Sequence, residues 1–198
     1  MKNFNILYID DSPESGLSRY LDVEYKNPEY ETFYTEIKFN PEDGYESLIK
    51  NPKVKQANII FIDSKLFENR KVTSGKFSGE EFKIILKKYY PFIEVIVISQ
   101  NGDDPSVNTI SKHDPSSGKT ASEYYAEYLP NFIEKAIDNI KIYRRLAEKL
   151  EHNTNWEGIL KEKILNSLYG VGVYDELNKT DIDALINAFK EIQVKIND

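Results

Sequence analysis

The sequence predicts an α/β fold: a doubly wound sheet of five parallel strands, with a shortened fourth helix and a helical C-terminal extension. Three observations lead there. Short apolar runs, Ile59-Ile60-Phe61-Ile62 above all, read as strands buried on both faces, as in a parallel sheet. Segments with helical spacing separate these runs. The runs end at polar residues, and in open α/β sheets chemistry collects outside the carboxyl ends of the strands.

Residues 4–9, Phe-Asn-Ile-Leu-Tyr-Ile, make the first strand, and Asp10-Asp11 follow at once. Ser12 is placed to cap a helix with Pro13 in its first turn, and Leu17, Tyr20 and Leu21 form its apolar face. Residues 22–31 are polar, contain Pro28 and read as a loop or a short extension. From Thr32 to Phe39, Phe33, Thr35, Ile37 and Phe39 alternate with Tyr34, Glu36 and Lys38, which predicts a strand near the sheet edge with one polar face. After a turn at 40–44, Tyr45, Leu48 and Ile49 begin a short helix that stops near Asn51-Pro52. A strand over 57–62 then delivers Asp63.

The segment 64–79 is basic, contains glycines and has no apolar period; a loop of this length is usually functional or mobile. Glu80 to Tyr90 reads as a helix with Phe82, Ile85, Leu86 and Tyr89 on one face, stopped by Pro91. The run Phe92 to Ile98 is a buried strand that ends at Ser99-Gln100. Too few positions separate Ser99 from Lys112 for a full helix and a strand, so the fourth helix shrinks to a loop before a short strand at 109–111.

A long helix starts near Thr120. Its positions Ile133, Ala136, Ile140, Tyr143, Ala147 and Leu150 alternate steps of three and four, which suits either a partner helix or the protein's own sheet. Two further amphipathic helices are expected. One spans about 154–169, with Trp156, Ile159, Leu160, Ile164, Leu165 and Leu168; the other follows a capping segment at Thr180. The chain thus divides into an α/β domain over 1–140 and a helical extension over 141–198, suited to dimerisation or partner binding.

Composition narrows the function. A 198-residue chain with 40% hydrophobic residues can build a sizeable core. The net charge of −7 argues against a nucleic-acid binder, as do five Lys/Arg against nine Asp/Glu in residues 151–198. Cysteine is absent, which excludes disulfides and thiolate metal sites. No long apolar stretch suggests a leader or a membrane span, so a cytoplasmic location away from membranes is the expectation.

Asp10, Asp11 and Asp63 would meet at neighbouring strand ends. Three carboxylates held together need a cation, and oxygen-only donors suit a hard ion, Mg²⁺ above all. Lys112 adds an ammonium and Ser99 a hydroxyl, a set able to hold the oxygens of a phosphoryl group. Gly118-Lys119-Thr120 falls short of a P-loop, because position 113 is His where that motif needs glycine.

In these residues the chain resembles the response-regulator receiver domains of two-component signalling. Receivers carry an acidic pair after strand one, a phosphoacceptor Asp after strand three, Ser or Thr after strand four and Lys after strand five. Asp10-Asp11, Asp63, Ser99 and Lys112 match in that order, and Gly79-Glu80-Glu81-Phe82 resembles the start of the helix behind the phosphorylation loop. The likeness covers residues 4–140 and implies a flavodoxin-like receiver. It implies that Asp63 accepts phosphate from a histidine kinase or a phosphotransfer protein. Mg²⁺ would be held by Asp10, Asp11, Asp63 and the backbone carbonyl of Lys65, with Ser99 and Lys112 assisting the transfer. The output would be protein–protein contact or service as a phosphate sink, with no enzymatic activity beyond Mg²⁺-dependent self-phosphorylation and dephosphorylation. Residues 130–198 are read as a homodimer surface. The chain departs from the pattern in its longer 64–79 loop, in His113 where proline is usual and in Thr109 where an aromatic is usual. The alternative is a pseudo-receiver, a protein-interaction module that is not phosphorylated. A Mg²⁺-dependent phosphohydrolase is a weaker match, since Asp10-Asp11-Ser12 lacks the Asp-x-Asp common in such enzymes.

Overall fold

Five strands lie parallel in one sheet in the order β2-β1-β3-β4-β5. They are β1 (Lys2–Asp10), β2 (Tyr30–Lys38), β3 (Ile59–Asp63), β4 (Glu94–Ser99) and β5 (Thr109–Ser111). The structure is a computed structural model and describes residues 2–67, 78–100, 108–152 and 158–169. The expected flavodoxin-like, doubly wound α/β class is therefore observed, with a helix beyond the sheet. The reduced fourth helix, the middle of the 64–79 loop and the helix after Thr180 lie outside the described residues.

Every residue of β3 and β4 is buried, as central parallel strands require. β2 occupies the edge, in register with β1 from Lys2↔Tyr30 to Asp10↔Lys38. Its alternation is real, but Phe33 is 46% exposed. The better-covered positions are Tyr30, Thr32, Tyr34 and Glu36. The side expected to be the polar face is thus the better covered one in this half of the strand, because Tyr30 and Tyr34 join the core under the helices and Phe33 does not.

The first helix departs from expectation at its start. α1 (Ser15–Arg19) has Glu14 as N-cap, with no capping bond from a side chain. Ser12 does not cap it; its N–H is held by Asp10 Oδ1 at 2.8 Å. A π-helical turn, Tyr20–Glu24, continues α1 into the segment expected to be loop. α2 (Tyr45–Lys50) follows a glycine at φ 72° as expected. α3 (Pro52–Gln56), which the sequence reading lacked, starts at a cap formed by the Asn51 side chain. There Pro52 is the first residue of a new helix and not a stop. α4 (Gly79–Tyr89) and α5 (Ala121–Glu151) each open with a capping box, Ser78/Glu81 and Thr120/Glu123.

The helices cover both faces. Phe4, Ile6, Tyr8, Ile59, Phe61, Ile96, Ile98 and Ile110 meet α1, the π-helical turn and the first half of α5. Leu7, Ile9, Ile60, Ile62, Val95 and Val97 meet α2, α3 and α4. The last two turns of α5 run beyond the sheet. Its Ala147 and Leu150 pack with Ile164 and Leu168 of α6 (Gly158–Tyr169), so among the described residues the heptad-like stripe is shared between the sheet and a helix of the same chain. α5 runs unbroken through residue 140. No helix of the described residues is long and apolar enough to cross a membrane.

Candidate functional site

The strand order reverses between β1 and β3, and the crevice at that point is where open α/β sheets bind ligands. Asp10 ends β1 and Asp63 ends β3, so the two carboxylates flank it. Asp11 follows directly. Oxygens of Asp10, Asp11 and Asp63 all lie within 4.8 Å of one another. Lys112, just past β5, reaches across two strands to both buried carboxylates: its Nζ is 2.7 Å from Asp63 Oδ1 and 3.0 Å from Asp10 Oδ2. Its backbone N–H is held by the Ser99 carbonyl at 2.7 Å, which ties the ends of β4 and β5 together. Ser99 is buried one position beyond Ile98, the register partner of Asp63. Asp10, Asp11, Asp63, Ser99 and Lys112, five of the six residues expected at the site from the sequence, therefore gather at one end of the sheet. Of Lys65, the backbone N–H donates to Asp63 Oδ2 at 2.9 Å and Nζ to Gln100 Oε1 at 3.4 Å.

Close backbone approach fixes Asp63. A Cβ at Gly79 would stand 2.4 Å from the Asp63 carbonyl oxygen and 2.9 Å from Ser64 Cα, so α4 begins where only glycine fits. Gly79 N–H donates to the Ser64 carbonyl and Ser64 N–H to the Ile98 carbonyl. Leu66 and Phe67, at the start of the 64–79 segment, are fully buried. Phe67 sits edge-on to Phe39 and Phe82, pinning the segment just after Asp63.

Burial pushes the Asp63 carboxyl above the ordinary carboxylate range and the Asp10 charge adds to this, against the pull of Lys112 and the Lys65 N–H. For Lys112 burial works the other way, but the bond and charge of Asp63, then of Asp10, outweigh it and hold the ammonium above its ordinary value. Three carboxyl groups thus gather around one ammonium, which is shared between Asp10 and Asp63. Such an all-oxygen donor set can bind a metal ion.

Two tyrosines and a glutamate complete the surroundings without any motif to announce them. Tyr8 donates to Asp10 Oδ2 at 2.5 Å. Tyr125, from the first turn of α5, donates to Glu14 Oε2 at 2.6 Å. The only sequence hint is a tyrosine inside an otherwise aliphatic strand, where burial demands a partner for its hydroxyl. An open cleft of about 640 Å³ adjoins the site, lined by Ser12, Glu14, Gln100, Lys112, His113 and Asp114 among others. No protein-family model matches the chain, and no curated protein matches it.

Proposed function

We propose that the protein is a phosphoacceptor of the receiver kind, taking a phosphoryl group from a histidine kinase or phosphotransfer protein onto Asp63. One observation supports this most: a single ammonium, Lys112 Nζ, is shared by Asp63 at 2.7 Å and Asp10 at 3.0 Å inside a cluster that also holds Asp11. A carboxylate nucleophile needs neighbours that accept the charge of an arriving phosphoryl dianion, and these residues match that need. Asp10, Asp11, Asp63 and the Lys65 carbonyl would hold Mg²⁺, whose chemistry is to neutralise the phosphoryl oxygens. An Asp63 oxygen bonds to phosphorus as the donor's phosphohistidine N–P bond breaks, and the imidazole leaves with the electron pair. Lys112 then shares its protons with the new phosphoryl oxygens, and Ser99 donates its hydroxyl to one of them. The chemistry stays on the protein's own carboxylate, and signalling proceeds through protein contacts of the helices after residue 130, as homodimer or with another protein, or by draining phosphate as a sink.

Intact mass after incubation with acetyl phosphate or phosphoramidate and Mg²⁺ tests this. One added phosphoryl group, lost in Asp63→Asn and without Mg²⁺, is expected; no gain in the wild type sinks the proposal. The pseudo-receiver reading draws on the closure of Asp63, only 5% exposed behind Lys112. It expects no mass gain and partner binding indifferent to Asp63→Asn.

A further inference from the structure

Behind the carboxylates a ring of hydrogen bonds closes through two buried tyrosines. His113 N–H donates to the Tyr125 oxygen at 3.2 Å, and Tyr125 O–H donates to Glu14 Oε2 at 2.6 Å. Glu14 N–H donates to the Tyr8 oxygen at 3.3 Å, and Tyr8 O–H donates to Asp10 Oδ2 at 2.5 Å. Lys112, the residue before His113, donates to the same Asp10 oxygen and completes the circuit.

We infer that Tyr8 and Tyr125 are positioning residues that, through Glu14, hold Asp10 and Lys112 in the spacing the cation site requires. This rests on the reading of Asp10, Asp11 and Asp63 as that site. Both side chains are fully buried, so neither hydroxyl can exchange its partner for water. Backbone N–H groups only donate and carboxylates only accept, so each hydroxyl gives one bond and takes one, in a fixed order. Asp10 Oδ1 is meanwhile held by Ser12 N–H at 2.8 Å. Its carboxylate is thereby gripped at both oxygens and cannot turn about its own axis. The ring joins the end of β1, where Asp10 and Asp11 stand, to the segment after β5, which carries Lys112. Those segments share no strand pairing, since β1 and β5 are three places apart in the sheet. A proline at 113 would have no N–H to give Tyr125, so the ring depends on His113 being another residue. Hydroxyls that orient a metal-binding carboxylate in this way typically set its affinity by factors of 10–100.

The test titrates the full chain with Mg²⁺ by calorimetry, and with Mn²⁺ by electron paramagnetic resonance as a second probe. Tyr8→Phe and Tyr125→Phe each weaken binding about tenfold. The double variant loses less than the product of the single losses, because both act through one ring. Glu14→Gln keeps an acceptor for Tyr125 and retains affinity, whereas Glu14→Ala loses it as Tyr125→Phe does. Phe variants that melt like the wild type and bind Mg²⁺ as tightly overturn the inference, as does a double variant whose losses multiply. If Tyr8→Phe fails to fold, Tyr125→Phe and the two Glu14 variants decide it. A wild type that binds neither cation removes the cation site and this inference together; a wild type that binds, with unchanged variants, removes only the ring.

Discussion

The two faces of the sheet are built from different chemistry. The face under α1 and α5 buries Tyr8, Tyr20, Tyr25, Tyr30 and Tyr125. Four of these hydroxyls are committed: Tyr25 with Tyr30 at 2.7 Å, Tyr8 to Asp10, Tyr125 to Glu14. The face under α2, α3 and α4 buries aliphatic side chains with Phe39, Phe67 and Phe82, and no tyrosine is among its fully buried members. Asp10 is gripped from the first face through hydrogen bonds, and Asp63 is set from the second by close packing at Gly79 and Phe67. Hydrogen bonds specify direction and dense packing specifies position, so one site draws on both kinds of precision.

High pH separates the faces most strongly. Burial raises Tyr20 to about 12, and it raises Tyr25 and Tyr125 further still. Below pH 10 folded and unfolded chains both keep these protons, and stability is complete. Above it the unfolded chain releases protons that the folded chain retains, so stability falls as pH rises. The loss is about 1.4 kcal/mol per tyrosine for each pH unit, and urea denaturation at stepped pH reads it. A flat profile from pH 9 to 11 would erase the distinction between the faces.

Next in size comes the aromatic anchor of the other face. Phe82→Ala costs about 3–5 kcal/mol in chemical denaturation, against about 1 kcal/mol for Tyr125→Phe, which loses one hydrogen bond. Similar losses would show that the hydroxyls matter as much as the packing. Gly79→Ala costs about 1–3 kcal/mol in a thermal melt, since its Cβ meets backbone that cannot swing aside. A neutral result would mean that α4 slides freely. Smallest is Thr109→Val. The Thr109 hydroxyl is buried with no hydrogen-bond partner among the described residues, and Thr109 pairs with Val97 on the apolar face. Removing it stabilises the fold by about 1 kcal/mol; a loss of stability would reveal a hidden bond.

Much of this was legible in residues. Ile59 to Ile62 announced a buried parallel strand because both its faces are apolar, and Asp63 stood out because a carboxylate ends that run. Asp10-Asp11, Ser99 and Lys112 were legible for the same reason: they close strands, and topology places strand ends together. The start of α1 was misread because the helix begins at Ser15 with Glu14 as its N-cap, beyond Ser12, whose N–H is held by Asp10. α3 was missed because Asn51-Pro52 stops one helix and caps the next. Phe33 was misassigned because alternation shows that a strand has two sides, not which side a helix covers.

Local patterning sets the strands, most helices and the identity of the charged strand ends, because periodicity and chain termination act over a few residues. Only the tertiary structure brings Lys112 to Asp10 and Asp63, lets Gly79 press against the Asp63 peptide and closes the ring through Tyr8 and Tyr125. Lys112 is 102 positions from Asp10 and Tyr125 is 111 from Glu14, and no local pattern encodes a partner at that distance.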